Sequence, residues 1–243
     1  AFVVPGIISI ACGLLFMKFA PVEGGAPAKR TVKQIELPPQ TRNRVFLVPY
    51  ETPNTLWYSK SEIQGIPGTP IEFSAFLTYQ VNTSNGEVVT GVQIDDKCVL
   101  LKKTSLFYFV GDGPNATGTG NDFTPASQIP SAVGTEEPRS VVGFQNGAIF
   151  KSLQGWYLID RSLNTTYIGA DVEAFNNNTV ISATLMDAST EIRIILSSGV
   201  AIVYDWLIGK WMVHKNYAAV AASNYNNAYT KLLSNGKLIQ ESS

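Results

Sequence analysis

The sequence predicts an all-β fold, a β-propeller or part of one built from antiparallel blades, and three observations carry that prediction. A stretch of the chain superposes without a gap on a second stretch 50 residues later. Units of three short β-runs joined by tight turns recur every 37 to 50 residues, which is the period of a propeller blade. A helix is hard to place anywhere along the chain. A β-sandwich would also show alternation and turns, but it gives no reason for a gapless internal copy.

The elements follow in order. Residues 1–17 carry only one feature of a membrane helix, an uncharged apolar run of nearly sufficient length. Pro5, Gly6 and Gly13 interrupt the run, Val3, Val4, Ile7 and Ile8 are β-branched, and no basic segment of a signal peptide precedes it. Two buried strands at 2–4 and 7–19, turning at Pro5-Gly6, are the expectation. Residues 20–44 change character. Pro21, Gly24, Gly25, Pro27, Pro38 and Pro39 punctuate them, and Lys29, Arg30, Lys33, Arg42 and Arg44 are scattered without interleaved aromatics. That pattern reads as a solvated connector interrupted by one short strand at 31–37.

From Asn43 the chain becomes a series of β-runs, beginning with a degenerate copy at 44–48 and 55–58 around a turn at 50–54. Placing Val92 over Val142 superposes 91–109 on 141–159. Ile94 then falls on Phe144, the turn Asp95-Asp96 on Gln145-Asn146, Val99 on Ile149 and Phe107 on Tyr157. The same strand, turn, strand, turn, strand order recurs at 183–204 and 220–239. The second turns carry Gly155, Gly199 and Gly236, separated by 44 and 37 residues.

One such sheet exposes an apolar face that a neighbouring sheet must bury. The small and β-branched residues Val141, Val142, Gly143, Ala183 and 218–222 suit the narrow inner strands. Phe107, Tyr108, Phe109, Trp156, Tyr157, Tyr204, Trp206 and Trp211 suit the wider outer ones. A glycine-rich insertion at 111–139 breaks the rhythm and reads as a long exposed connection. It lacks the Lys-Ser/Thr that completes a P-loop, and Asp112, Asn115, Asn121 and Asp122 lack the spacing and terminal Glu of an EF-hand.

Composition narrows function. The 243 residues are 45% hydrophobic and 15% charged, with a net charge of −1, which excludes a disordered chain and a non-specific duplex-DNA binder. Cys12 and Cys98 lie far apart and exclude a disulfide framework, and with the single His214 they leave little for a metal centre. Sequons at Asn82, Asn115, Asn164 and Asn177 are expected by chance in a chain rich in Asn and Thr.

The carboxylates Asp95, Asp96, Glu136, Glu137, Asp160, Asp171, Glu173 and Asp205 are available for glycosidase chemistry. The adjacent pairs, however, fall in turns that favour acidic residues anyway. Asp160 and Asp205 occupy equivalent ends of their units and point to a repeated structural cap. His214 reads as a surface residue at a strand end. Tyr50, Trp57, Trp156, Trp211 and Tyr225 are candidates for stacking on sugars or for filling blade edges. The uncharged, alanine-rich segment 217–229 is a candidate lateral contact.

One ordered string goes further. Asp95-Asp96-Lys97, Leu106 through Gly111-Asp-Gly-Pro114, Pro138-Arg-Ser-Val-Val142, Asn146-Gly147, Gly155-Trp-Tyr-Leu-Ile-Asp-Arg161 and Tyr167-Ile-Gly169 resemble the β-propeller region of tail hub or nozzle proteins of short-tailed bacteriophages. Asn54-Thr-Leu-Trp-Tyr-Ser-Lys60 and Glu72-Phe-Ser74 resemble the preceding blade. The likeness covers roughly residues 42 to 217. Members of that family are usually several hundred residues longer, so the resemblance implies that this chain is a portion of a larger subunit.

It also implies a structural, non-catalytic virion protein that forms a symmetric homo-oligomeric ring around the DNA exit channel and serves genome ejection. Its partners would be other copies of itself, other tail or adaptor proteins, and passing DNA without sequence-specific binding. A near-neutral chain suits a conduit, because each lysine or arginine contact to phosphate adds affinity and drag.

The expectation is therefore an irregular segment at 1–41 and propeller-like repeats at 42–243, in the virion, without stable membrane insertion. No catalytic, cofactor-binding or metal residue is assigned. A glycan-binding propeller at the host surface, or less readily a propeller glycosidase, is the alternative.

Overall fold

The computed structural model describes residues 32–36, 44–49, 51–60, 73–186, 189–225 and 228–241. The strands expected at 2–4 and 7–19 lie outside the described residues. Everything regular within them is antiparallel β-structure, apart from two short 3-10 segments, Pro138–Ser140 and Ala170–Phe175.

The strands form five sheets, each built in chain order. The first contains β1 (Val32–Glu36), β2 (Val45–Pro49), β3 (Thr55–Ser59) and β4 (Phe73–Gln80). The second contains β5 (Val88–Ile94), β6 (Lys97–Lys102), β7 (Leu106–Phe109) and β8 (Ser127–Ile129). The third contains β9 (Val142–Phe144), β10 (Gly147–Ser152), β11 (Gly155–Asp160) and β12 (Thr165–Tyr167). The fourth contains β13 (Val180–Leu185), β14 (Glu191–Leu196), β15 (Ala201–Asp205) and β16 (Lys210–His214). The last contains β17 (Ala221–Tyr225), β18 (Ala228–Leu232) and β19 (Leu238–Gln240). Serial antiparallel sheets of this kind are propeller blades.

The internal copy is a structural repeat. β6 and β10 begin and end 50 residues apart, at 97–102 and 147–152, and each follows a two-residue turn. Both are second strands, hydrogen-bonded on either side, and nearly all their residues are buried. Strand β1 pairs with β2 from Val32 opposite Pro49 to Glu36 opposite Val45. The first sheet thus takes in the short strand expected within the connector.

The chain folds as two compact units, the first holding the first sheet and most of the second, the other holding the last three. In the first unit, Phe46, Val48, Leu56, Leu77, Leu100 and Phe109 form the core. The ring of Phe123 lies 5.1 Å from Tyr58 and 5.1 Å from Phe109, edge-on to both, a favoured aromatic geometry. In the second unit, Ile149, Trp156, Val172, Ile192, Ile194 and Ile202 form the core.

The insertion at 111–139 is largely exposed, as expected, but it is also anchored. It supplies Phe123 to the first core, β8 as the fourth strand of the second sheet, and the 3-10 segment that leads into β9. Its glycines and polar residues hid three buried apolar anchors, Phe123, Ile129 and Val133. Burying such side chains contributes roughly 1.5–3 kcal/mol each, enough to hold a loop down.

Candidate functional site

The sequence-predicted carboxylates are dispersed, and several are already in use. Asp160 ends β11 and accepts the backbone N–H of Asn164 at 2.9 Å. Asp205 ends β15 and accepts the N–H groups of Leu207 at 3.0 Å and Ile208 at 3.4 Å. At both equivalent strand ends the aspartate accepts backbone N–H groups of the turn that follows.

Tyr167 donates its hydroxyl to Glu173 at 2.7 Å, and both are exposed. Asp95 and Asp96 lie in the exposed β5–β6 turn, where Asp96 meets Lys97 at 3.1 Å. Glu136 pairs with the exposed Lys103, and Asp171 is exposed. His214 is the last residue of β16 and exposed, 6.2 Å from the Tyr217 ring.

The sugar-stacking set does not assemble. Trp156 is completely buried against Trp211, at 5.7 Å, and Trp211 donates its indole N–H to the Ile168 carbonyl at 2.7 Å. These rings fill the space between sheets, which withdraws their faces from a ligand. Trp57 is half-buried, Tyr225 is exposed, and Tyr50 lies outside the described residues.

In the insertion, the Asn115 side-chain oxygen accepts the N–H groups of Thr117 at 3.0 Å and Thr119 at 3.1 Å and the Thr117 hydroxyl at 2.6 Å. That oxygen organises the loop rather than facing an ion. Among the described residues no group of three or more His, Cys, Asp or Glu is placed to hold a metal. Of the sequon asparagines, Asn82, Asn115 and Asn164 bond within their own turns.

A different set of residues is distinctive. Each sheet has a basic side chain in, or immediately before, its second strand, and none is exposed: Arg44, Lys102, Lys151, Arg193 and Lys231. Arg44, grouped by sequence with a solvated connector, is 4% exposed. It donates to the Ser59 carbonyl at 2.9 Å and to the Pro114 carbonyl of the insertion, and its guanidinium lies over the Tyr58 ring. Desolvation lowers its pKa, with Tyr58 and Asp112 acting in the opposite direction.

Lys151 on β10 bonds Glu137 at 2.5 Å and the Asn178 carbonyl at 2.6 Å. The other Glu137 oxygen accepts the N–H of Val180, the first residue of β13, at 2.6 Å. One ion pair with a buried ammonium therefore joins the third sheet to the fourth.

Arg193 on β14 reaches Glu191 at 3.1 Å and Glu241, beyond β19, at 2.6 Å, with its guanidinium over the Tyr229 ring. Lys231 sits 3.4 Å from the centre of the Tyr217 ring and 3.5 Å from Glu241. Tyr217 donates its hydroxyl to Glu241. Burial pushes the Glu241 carboxyl upward, but the bonds from Tyr217 and Arg193 and the charge of Lys231 outweigh it and hold the pKa below the usual value. Arg193, Ala201, Val203, His214, Tyr217 and Glu241 line a cavity of about 100 Å³. A small-molecule site generally needs about 300 Å³ or more.

These contacts define a class of protein, a blade array whose specialised polar groups join sheet to sheet. Comparison with solved structures agrees on the fold. The chain superposes on BamB from Moraxella catarrhalis with a TM-score of 0.50 at 9% identity, covering 88% of this chain and 59% of that one. It superposes on a chain of the nidogen/laminin complex with a TM-score of 0.52 at 9% identity, covering 83% and 72%.

For PorZ of Porphyromonas gingivalis, described as a surface component of the type-IX secretion system, the TM-score is 0.53 at 11% identity, covering 86% and 26%. The chain therefore spans about a quarter of PorZ and three fifths of BamB. These neighbours are propeller-like, and at such identities the likeness establishes the β-propeller fold alone. No protein-family profile matches the sequence, and no curated protein matches it either.

Proposed function

We propose that this chain is part of a structural bacteriophage tail protein, a hub or nozzle subunit that encircles the DNA exit channel in a homo-oligomeric ring. One observation carries the proposal: the residues of the phage-like string coincide with joints of the fold. Asp95-Asp96 is the β5–β6 turn, and Leu106–Phe109 is β7. Gly155–Asp160 is β11, and Gly169 backs directly onto Trp156.

Gly113 is a tight joint of this kind. Its φ is +69°, and a Cβ there would stand 2.2 Å from the Phe123 ring, so any other residue is strained there and must displace that ring. The next residue, Pro114, offers its carbonyl to buried Arg44. A string whose order is fixed by packing of this kind is a sounder basis for kinship than scattered identities.

The surface supports the same reading. Leu207, Ile208, Met212 and Val213 are exposed on β16 and the turn before it. Val220 and Tyr225 are exposed in the alanine-rich segment. Ring subunits require such apolar area for lateral contact. Electron microscopy of assembled particles tests the proposal. Density for this chain repeated about a tail axis is the expected result, and a monomer with hydrolase activity and no place in the particle would overturn it.

A further inference from the structure

Lys102, the last residue of β6, is fully buried and has no carboxylate partner among the described residues. Its ammonium instead meets four neutral oxygens: Asn54 Oδ1 at 2.8 Å and the backbone carbonyls of Asn82, Ser84 at 2.9 Å and Gly86 at 3.0 Å. The Phe107 ring closes a further side, its centre 5.1 Å from Nζ.

Three carbonyls from alternate residues of one exposed loop converge on the ion because Asn85 (φ 63°) and Gly86 (φ 89°) turn the chain in left-handed conformations. Asn54 reaches in from the β2–β3 turn. Burial lowers the Lys102 pKa.

An ammonium has three hydrogens to donate, yet four oxygens surround this one. Convergent carbonyl oxygens that replace a hydration shell are the chemistry of monovalent-cation coordination. Calcium, by contrast, takes about six to eight oxygens at roughly 2.3–2.6 Å with carboxylates among them, and this cage has neither the number nor the charge. We propose that the oxygen cage of Asn54, Asn82, Ser84 and Gly86 is a monovalent-cation site that the chain occupies with its own lysine. Lys102 thereby does for the β4–β5 loop what a bound potassium or ammonium ion does elsewhere, without dependence on the medium. This inference does not rest on the phage assignment.

Truncating the lysine in the whole chain tests it. Lys102→Ala leaves the cage and opens room for an ion, whereas Lys102→Met leaves the cage and fills that room. Thermal unfolding is followed at constant ionic strength while choline is exchanged for methylammonium or potassium. Lys102→Ala is expected to lose stability and regain it saturably, its folded-to-unfolded ratio rising about 100-fold at one hundred times the ion's Kd. Wild type and Lys102→Met are expected to stay flat.

No recovery in Lys102→Ala, or equal gains in all three proteins, overturns the proposal. If Lys102→Ala does not fold, nitrogen-15 spectra of the wild-type lysine side chains decide. A protonated Lys102 Nζ with slowly exchanging hydrogens supports the cage, and a neutral or freely exchanging amine refutes it.

Discussion

Replacing Glu137 by alanine separates two neighbouring carboxylates that look alike in the sequence. Glu137 binds Lys151 through one oxygen and the Val180 N–H through the other, and Lys151 is only 6% exposed. Removing the side chain strands a buried ammonium with the Asn178 carbonyl and leaves the first N–H of β13 without its acceptor. Breaking a buried pair costs about 3–5 kcal/mol. Glu137 itself is 26% exposed, and the Asn178 bond survives, so the lower end, about 3 kcal/mol, applies here.

At roughly 2–4 °C per kcal/mol for a chain of this size, the melting temperature should fall by about 6–12 °C. Glu136→Ala removes only a surface pair, 56% and 39% exposed, and should cost less than about 0.5 kcal/mol after discounting for solvent. Urea unfolding of both variants, with a Glu137→Ala/Lys151→Met double-mutant cycle, measures the difference. Equal costs for the two glutamates, or a coupling energy near zero, would refute the assignment of Glu137 as the joint between the third and fourth sheets.

Other outcomes follow from the same geometry. The folded-state pKa of Glu241 lies below its unfolded value of about 4.5. Its stabilising contribution is therefore complete above about pH 4.5 and is lost as pH falls through the folded pKa. Acid titration of unfolding should show that loss in wild type, with a smaller one in Glu241→Gln. Trp156→Ala, at a completely buried site, should cost about 3–5 kcal/mol by chemical denaturation. Gly113→Ala should shift the Phe123 ring, seen as a change in its aromatic proton resonances. Asp205→Ala should speed amide hydrogen exchange at Leu207 and Ile208 while leaving the rest of β15 protected.

The repeat was legible because the second strands are buried on both faces and keep their apolar residues in register, Val99 on Ile149 among them. The fourth strands were not. β8, β12 and β16 are short or largely exposed, and β4 has the mixed pattern of an edge. A three-residue strand is too short to show alternation, and a strand exposed along nearly its whole length has no buried face to impose it, so the period-2 signal fades where the sheet ends. The cap residues Asp160 and Asp205 could be read because they recur at equivalent ends.

The buried cations could not, since a lysine looks the same whether its ammonium meets water or a carbonyl. The one available clue is position. Lys102 closes the run Cys98-Val-Leu-Leu101, and Lys151 follows Ala148-Ile-Phe150, at places where an apolar residue would be expected. Arg44 gave no such clue, because its carbonyl partner at Pro114 is 70 residues distant.

Three of these basic side chains, Arg44, Lys102 and Lys151, grip main-chain oxygens of another segment. A carbonyl is present whatever residue bears it. Such a fastening places no demand on the identity of the residues it holds, only on the path of their backbone. An exposed turn position such as Thr83 can therefore accept a new side chain while the join beneath it stays intact. The surface of the array is free to diversify, and the framework that carries it is not.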